Sequence, residues 1–199
     1  MPANKRKYGN IMISAIAAVN AINSIRDGEI VVATMTANRY WETVSDNKDL
    51  DLPIFGAMGK ASSVALGLAL SQPQKKIIVL DGDGSLLMNL GSLVTVAGME
   101  PDNFVHFVFE DGAYWTTGGQ PIPGNGKFNL SAMAGDAGYK NSYEFEDLET
   151  LVSELPEVLN QKGPTFVSIK ITHPDHAGEP FIGSTKNAME KLSKVISGS

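Results

Sequence analysis

A chain of 199 residues with 43% hydrophobic and 19% charged side chains has the composition of a globular domain large enough to close a core. Its net charge of -6 excludes the basic footprint of a general nucleic-acid or membrane-surface binder, though not a local anion site. The lack of cysteine excludes disulfides, thiolate metal sites and a chain-borne iron–sulfur cluster and fits a cytoplasmic location, and no apolar run approaches the 18 residues of a membrane span.

The N-terminal MPANKRKYGN is not followed by an apolar stretch and cleavage site, so no signal peptide is expected. Residues 8–26 predict a helix, with Ile11, Ala15, Ala18, Ile22 and Ile25 on one face and Asp27-Gly28 ending it. EIVVATMT (29–36) predicts a buried strand. Residues 37–53 are polar apart from Tyr40 and Trp41 and read as irregular. GAMGKASSVALGLALSQP (56–73) predicts a helix reached through a glycine turn, its small side chains allowing close approach to a sheet. KKIIVLD (75–81) is a second strand, and 85–99 a second sheet-packed helix with Leu86, Leu90, Leu93 and Ala97 on one face. NFVHFVFE (103–110) is a third strand, followed by a Gly/Pro-rich loop over 111–127. A helix near 129–137 and an apolar segment near 139–145 come next. Residues 147–161 read as a helix that Pro156 kinks or splits. TFVSIKIT (165–172) is the fourth strand, and a last helix covers 184–196.

No repeat, low-complexity tract or linker divides the chain, so 1–199 reads as a single domain. Apolar strands alternating with helices predict a three-layer α/β/α architecture with a mostly parallel sheet. Ligands of such sheets bind beyond the carboxyl ends of the strands.

That edge is where LDGDGSLLMNL (80–90) falls. A GDG turn between strand and helix is often no more than a capped connection. Here it opens a helix whose free N–H groups and positive dipole end suit a phosphate, and Gly82 and Gly84 let an anion approach the backbone. Asp83 would repel a bare phosphate. A divalent cation between them removes the conflict, and magnesium prefers such oxygen ligands. The stretch is neither a Walker A loop nor a GxGxxG fingerprint. A right-handed crossover puts strand 103–110 beside strand 75–81, about 5 Å away. Asp111 then falls beside Asp83, and the turn after it can aim the Ala113 carbonyl at the same ion.

GDG followed 28 positions later by a carboxylate turn resembles the thiamine diphosphate-binding motif. Over residues 54–121, GAMGKASSVALGLALSQPQKKIIVLDGDGSLLMNLGSLVTVAG and DGAYWTTGGQP resemble the diphosphate-binding half of thiamine diphosphate-dependent 2-oxoacid decarboxylases. The likeness is greatest to the sulfopyruvate decarboxylase beta subunit and to phosphonopyruvate decarboxylase. The resemblance implies a thiamine diphosphate-binding fold with Asp83, Asp111 and the Ala113 carbonyl on magnesium, and Gly84 and Ser85 N–H groups on the diphosphate. Met58 would prop the cofactor into its bent shape, and the Gly56 carbonyl would accept from its amino group. Ala57, Gly82 and Tyr114 fall in the same cofactor-binding stretches. On residue chemistry alone, Met58 at a helix start is equally an ordinary core side chain.

The sequence departs from the family where Asp111 replaces the usual Asn, with Glu110 before it, where Thr36 replaces a frequent Gly, and where Ile122 replaces Thr. The family's catalytic glutamate sits on a separate pyrimidine-binding domain, for which this chain has no room. The resemblance therefore implies a partner subunit of alpha type supplying that glutamate, in a hetero-oligomer built on dimers and acting on a 2-oxoacid. Other reactions of the same cofactor, such as carboligation or acyl transfer, and a non-catalytic regulatory subunit are the competing readings. His106, inside a strand, reads as structural. His173 and His176 have the chemistry of metal ligands, but their setting in THPDHAGEP reads as a polar surface loop. Thr116–Gln120 reads either as a glycine turn or as a substrate contact, and Arg39 is the candidate for gripping a sulfonate or phosphonate.

Overall fold

In chain order the elements are β1 (Ile13–Ser14), α1 (Ala15–Ser24), β2 (Ile30–Thr34), α2 (Met35–Val44), β3 (Asp51–Ile54), α3 (Ala61–Ser71), β4 (Ile77–Gly82), α4 (Asp83–Leu87), α5 (Ser92–Met99), β5 (Phe104–Glu110), β6 (Ala113–Tyr114), β7 (Gln120–Pro121), α6 (Leu130–Ala137), β8 (Asn141–Phe145), α7 (Leu148–Asn160), β9 (Thr165–Thr172) and α8 (Thr185–Ser197). The structure is a computed structural model and describes residues 12–173 and 182–198. Strands β9, β5, β4, β2 and β3 lie side by side in that order, all parallel. β8 and β1 pair in parallel with successive parts of β9.

The two-residue period of the strands builds a core on each face. Val31 and Ala33, Ile78 and Leu80, and Val105 and Phe107 point to one side, where α1, α2 and α7 cover them. Ile30 and Val32, Ile77 and Val79, and Phe104 and Val108 point to the other, covered by α3, α5, α6 and α8. This is the expected three-layer α/β/α arrangement. All carboxyl ends of the parallel strands reach one edge. Among the described residues no helix is long and apolar enough to cross a membrane.

Several local expectations change. The first helix starts at Ala15, because Ile13 and Ser14 pair with β9; residues 8–11 lie outside the described residues. Residues 37–53 are not irregular: they form most of α2, a 3-10 turn at Lys48–Leu50 and the strand β3. Helix 85–99 is two helices, because residues 88–91 tighten into turns with Ser92 N–H on the Asn89 carbonyl and Leu93 N–H on that of Leu90. The apolar segment near 139–145 is β8, and the glycine-rich loop holds a hairpin of β6 and β7. Pro156 does not split α7. It lies on the exposed face, as does Val152, whose carbonyl loses its helical partner there and can be met by water.

α2 matters most, since it forms one wall of the strand edge. Its Ala37, Tyr40 and Trp41 are buried against the first core, with Val44 packed beside them. Arg26 pins its far end. The Arg26 side chain is 3% exposed, and its Nη1 stands 2.9 Å from Asp51 Oδ1 at the start of β3. Its guanidinium lies 5.3 Å from the Trp41 ring centroid and donates to the Glu29 carbonyl and to Ser45 Oγ. Arg26→Ala would leave the Asp51 carboxylate buried without its cation. A loss of about 3 kcal/mol is expected in urea unfolding; a change below about 1 kcal/mol would show the pair to be dispensable.

Candidate functional site

β4 runs straight into α4, and Asp83 is the first residue of that helix. Its Oδ1 accepts from the Gly84 N–H at 2.6 Å and its Oδ2 from the Gly112 N–H at 2.8 Å. The second bond ties the end of β4 to the turn after β5. Gly82 and Phe109 are register partners, so Asp83 and Asp111 leave neighbouring strands at nearly the same level. Burial, and then the Asp111 charge, push the Asp83 carboxyl from 3.8 up to about 7, against the opposing pull of the Gly112 and Gly84 N–H groups.

Asp111 Oδ1 accepts from the Ala113 N–H at 2.9 Å, and Oδ2 meets His173 Nε2. The hairpin uses the carbonyls on either side of Ala113: Ile122 N–H bonds that of Gly112 at 3.0 Å, and Gly119 N–H that of Tyr114 at 3.1 Å. The Ala113 carbonyl takes part in neither of these bonds.

A cleft opens at this edge, between α2, Met58, the Gly82–Gly84 turn and the segment 111–117. Its opposite wall is held by a latch. Gly59 N–H donates to Ser85 Oγ at 2.9 Å, and Asn89 Nδ2 donates to the Gly59 carbonyl at 3.0 Å. Gly59 has φ +69, and a Cβ there would stand 2.8 Å from Asn89 Cβ, so only glycine lets the Met58 turn dock on α4. A Cβ on Gly84 would lie 2.7 Å from the Tyr114 ring, so this helix start also has to be bare.

Of the residues singled out from the sequence, Met58, Gly82, Asp83, Gly84, Asp111, Ala113 and Tyr114 line the cleft, with Thr36 and Thr116. Gly56 does not; it borders an adjoining cleft with Arg39, Phe55 and Thr116. Ala57 packs against the core instead, and Ser85 is buried with its hydroxyl turned to Gly59. Arg39 stands 5.9 Å from the Trp115 ring centroid. Thr117 and Gln120 bond each other in an exposed turn. Glu110 turns away from the cleft to Ser168 and Lys170. Ile122 is buried beneath Gly84.

His106 is fully buried between Asp81 and Tyr139, away from the cleft. His176 lies outside the described residues. His173 is not in a surface loop: its side chain is 9% exposed and lines the cleft. Sequence reasoning also passed over Tyr40 and Asn89. The spacing Ala37, Tyr40, Trp41, Val44 is a helical face that would have placed Tyr40. Nothing local signals Asn89 or His173, whose partners lie 30 to 133 residues away.

Buried Asp83 at a glycine-turned helix start and half-buried Asp111 beside it gather two carboxyl groups at the very place where a parallel α/β domain receives anions. Among the described residues no three His, Cys, Asp or Glu side chains cluster into an all-protein metal cage. The donors fit instead a cation shared with ligand oxygens, so the class is a domain that binds a phosphorylated cofactor. Residues 29–169 match the thiamine pyrophosphate enzyme family's C-terminal TPP-binding domain, and the chain belongs to that family. It carries a thiamine diphosphate-binding domain.

Phosphonopyruvate decarboxylase of Streptomyces viridochromogenes is 39% identical over 73% of this chain and 36% of its own length. The chain thus spans about a third of that relative. Sulfopyruvate decarboxylase subunit beta of Methanothermobacter thermautotrophicus is 32% identical over 94% of this chain and 98% of its own. The crystal structure of benzoylformate decarboxylase from Polynucleobacter necessarius shares the fold, with TM-score 0.67 and 21% identity over 86% of this chain and 35% of that one.

The raised Asp83 pKa has a testable sign. The folded apo chain holds the Asp83 proton more tightly than the unfolded chain does. The stability from this linkage is therefore full below about pH 4 and is lost as pH rises toward 7. Asp83→Asn removes the dependence. Its melting temperature relative to the parent should move in the mutant's favour between pH 5 and pH 8, without added metal; a pH-independent difference would contradict the raised pKa.

Proposed function

We propose that the chain is one diphosphate-binding module, residues 1–199, of a cytoplasmic 2-oxoacid decarboxylase of the sulfopyruvate decarboxylase type. The observation that carries this is the end-to-end match to a beta subunit of nearly the same length. The beta designation implies an alpha subunit, and the pyrimidine-binding partner with its catalytic glutamate would be that chain. Among the described residues no glutamate lines the cleft. The stronger identity to phosphonopyruvate decarboxylase keeps phosphonopyruvate as the second substrate to try.

Bound thiamine diphosphate supplies an electron sink for the departure of carbon dioxide. This chain's part is to bind and orient. Asp83, Asp111 and the Ala113 carbonyl would hold magnesium, an ion that takes carboxylates together with phosphate oxygens. The start of α4 at Gly84 would give backbone N–H groups to the diphosphate, in keeping with its dipole. Met58, half-buried and fixed by the Gly59 latch, would be the apolar prop beneath the cofactor, and Gly56 would offer its carbonyl. Arg39, in the adjoining cleft, is the candidate for the substrate's anionic tail.

The test is reconstitution. The chain, a pyrimidine-binding subunit, thiamine diphosphate and magnesium are mixed with sulfopyruvate or phosphonopyruvate, and carbon dioxide is measured. Release should need both chains; turnover by this chain alone would overturn the half-enzyme reading. Asp83→Ala should abolish magnesium-dependent cofactor binding. Met58→Ala should retain the cofactor yet slow turnover per bound cofactor by about tenfold or more, the scale of a misplaced reacting group. Lower affinity with unchanged turnover would make Met58 ordinary core.

A further inference from the structure

His173 has no part in that reading, yet every face of its ring is engaged. Trp115 stacks on it with centroids 4.4 Å apart and planes at 26°, and Tyr40 with centroids 5.7 Å apart and planes at 23°. Nε2 contacts Asp111 Oδ2, and Nδ1 lies 2.7 Å from the Tyr40 hydroxyl. Three separate segments meet here: α2, the turn after β5 and the end of β9.

The hydrogen positions follow from the partners. A neutral imidazole has one N–H and one lone pair, and an ionised carboxylate only accepts. Nε2 therefore donates to Asp111, and Nδ1 accepts from the Tyr40 hydroxyl. That hydroxyl stays protonated: burial pushes its pKa up to about 12, with Arg39 pulling down and Asp111 pushing up less strongly. With both nitrogens used, His173 has no lone pair left for a metal.

A carboxylate has no N–H of its own to define its rotation. Asp111 receives the Ala113 N–H on one oxygen and the His173 N–H on the other. We infer that Tyr40 and His173 form a positioning relay for Asp111, fixing its carboxylate so that a lone pair on Oδ1 stays directed for a divalent cation. The aromatic clamp holds the imidazole, and the imidazole holds the ligand. Such outer contacts orient metal-binding carboxylates generally. The inference rests on the proposed role of Asp111 as a cation ligand. It also accounts for an aspartate in this position: the relay offers the N–H that an asparagine would not need.

The test is a calorimetric magnesium titration of the full chain with saturating thiamine diphosphate, the pyrimidine-binding subunit being present if cofactor binding requires it. His173→Phe keeps a ring between Trp115 and Tyr40 but removes the N–H. It should raise the half-saturating magnesium concentration by about tenfold or more. His173→Gln restores a donor near the place of Nε2 and should recover affinity to within about threefold, the scale of one neutral hydrogen bond. In an Asp111→Asn background the His173→Phe penalty should shrink to about threefold or less, since no charged ligand then needs holding. Tyr40→Phe, which removes only the hydroxyl, should cost about threefold and serves as the second variant if a His173 variant does not fold.

Equal His173→Phe penalties in the parent chain and in the Asp111→Asn background, or no penalty in the parent chain, would overturn the relay; so would an unaffected Tyr40→Phe chain. Asp83→Ala separates the two readings. Unchanged magnesium affinity in Asp83→Ala would remove the cation site itself, whereas its loss there with normal affinity in His173→Phe would remove only the relay.

Discussion

The site depends on two like charges being held together. Adjacent parallel strands deliver Asp83 and Asp111 to the same level of the sheet edge, and the Asp111 charge disfavours ionisation of Asp83. Backbone N–H groups make this tolerable. Gly84 and Gly112 each donate to Asp83, and Gly112 can do so because its φ is +77 and it has no side chain. A Cβ there would fall 2.5 Å from Asn125 Nδ2. The crossover that makes β4 and β5 neighbours, the glycine turns beyond them and the start of α4 all serve one arrangement.

The rest of the cleft is fixed with comparable economy of contact. The Met58 turn is latched to α4 through Ser85 and Asn89. The end of β3 is held by α8, where Thr185 Oγ1 accepts from the Phe55 N–H and donates to the Pro53 carbonyl. Gly183 lies against the Phe55 ring, leaving no room for a side chain. α2 is held at its C-terminal end by Arg26 and near its middle by the Tyr40–His173 contact. Walls tied in this way present their groups in a preset geometry, and ordering them need not be drawn from the free energy of binding.

What the sequence revealed and what it hid divide along physical lines. Asp83 and Asp111 could be paired from sequence because a βαβ unit has one favoured hand. α2 was missed because polar Thr36, Asn38, Arg39 and Glu42 surround its apolar face, which is only Ala37, Tyr40, Trp41 and Val44. β3, with Pro53 inside it, is an edge strand of four residues and gives little alternation to read. Helix 85–99 looked continuous because its apolar face survives the turn at 88–91, where Asn89 leaves to reach Gly59. His173 was unreadable for a different reason. Its surroundings in sequence are Pro, Asp and Gly, and its partners in space come from elements that only the finished sheet brings together.

The side chains at the same sheet edge leave room for the proposed cation to balance the carboxylates. Lys170 borders a further hollow on the flank of Asp83 and Asp111, but it is paired with Glu110 and lies 3.3 Å from Glu144. His173 meets Asp111 through Nε2, and its Nδ1 is taken by the Tyr40 hydroxyl. Neither answers the charge of Asp83, whose backbone donors only partly offset its burial. A divalent ion arriving with a diphosphate would do so, at the cost of displacing the proton that Asp83 retains near neutral pH. Binding of the metal, release of that proton and docking of the phosphate at the start of α4 are then one coupled event. The domain is built to be completed by its ligand.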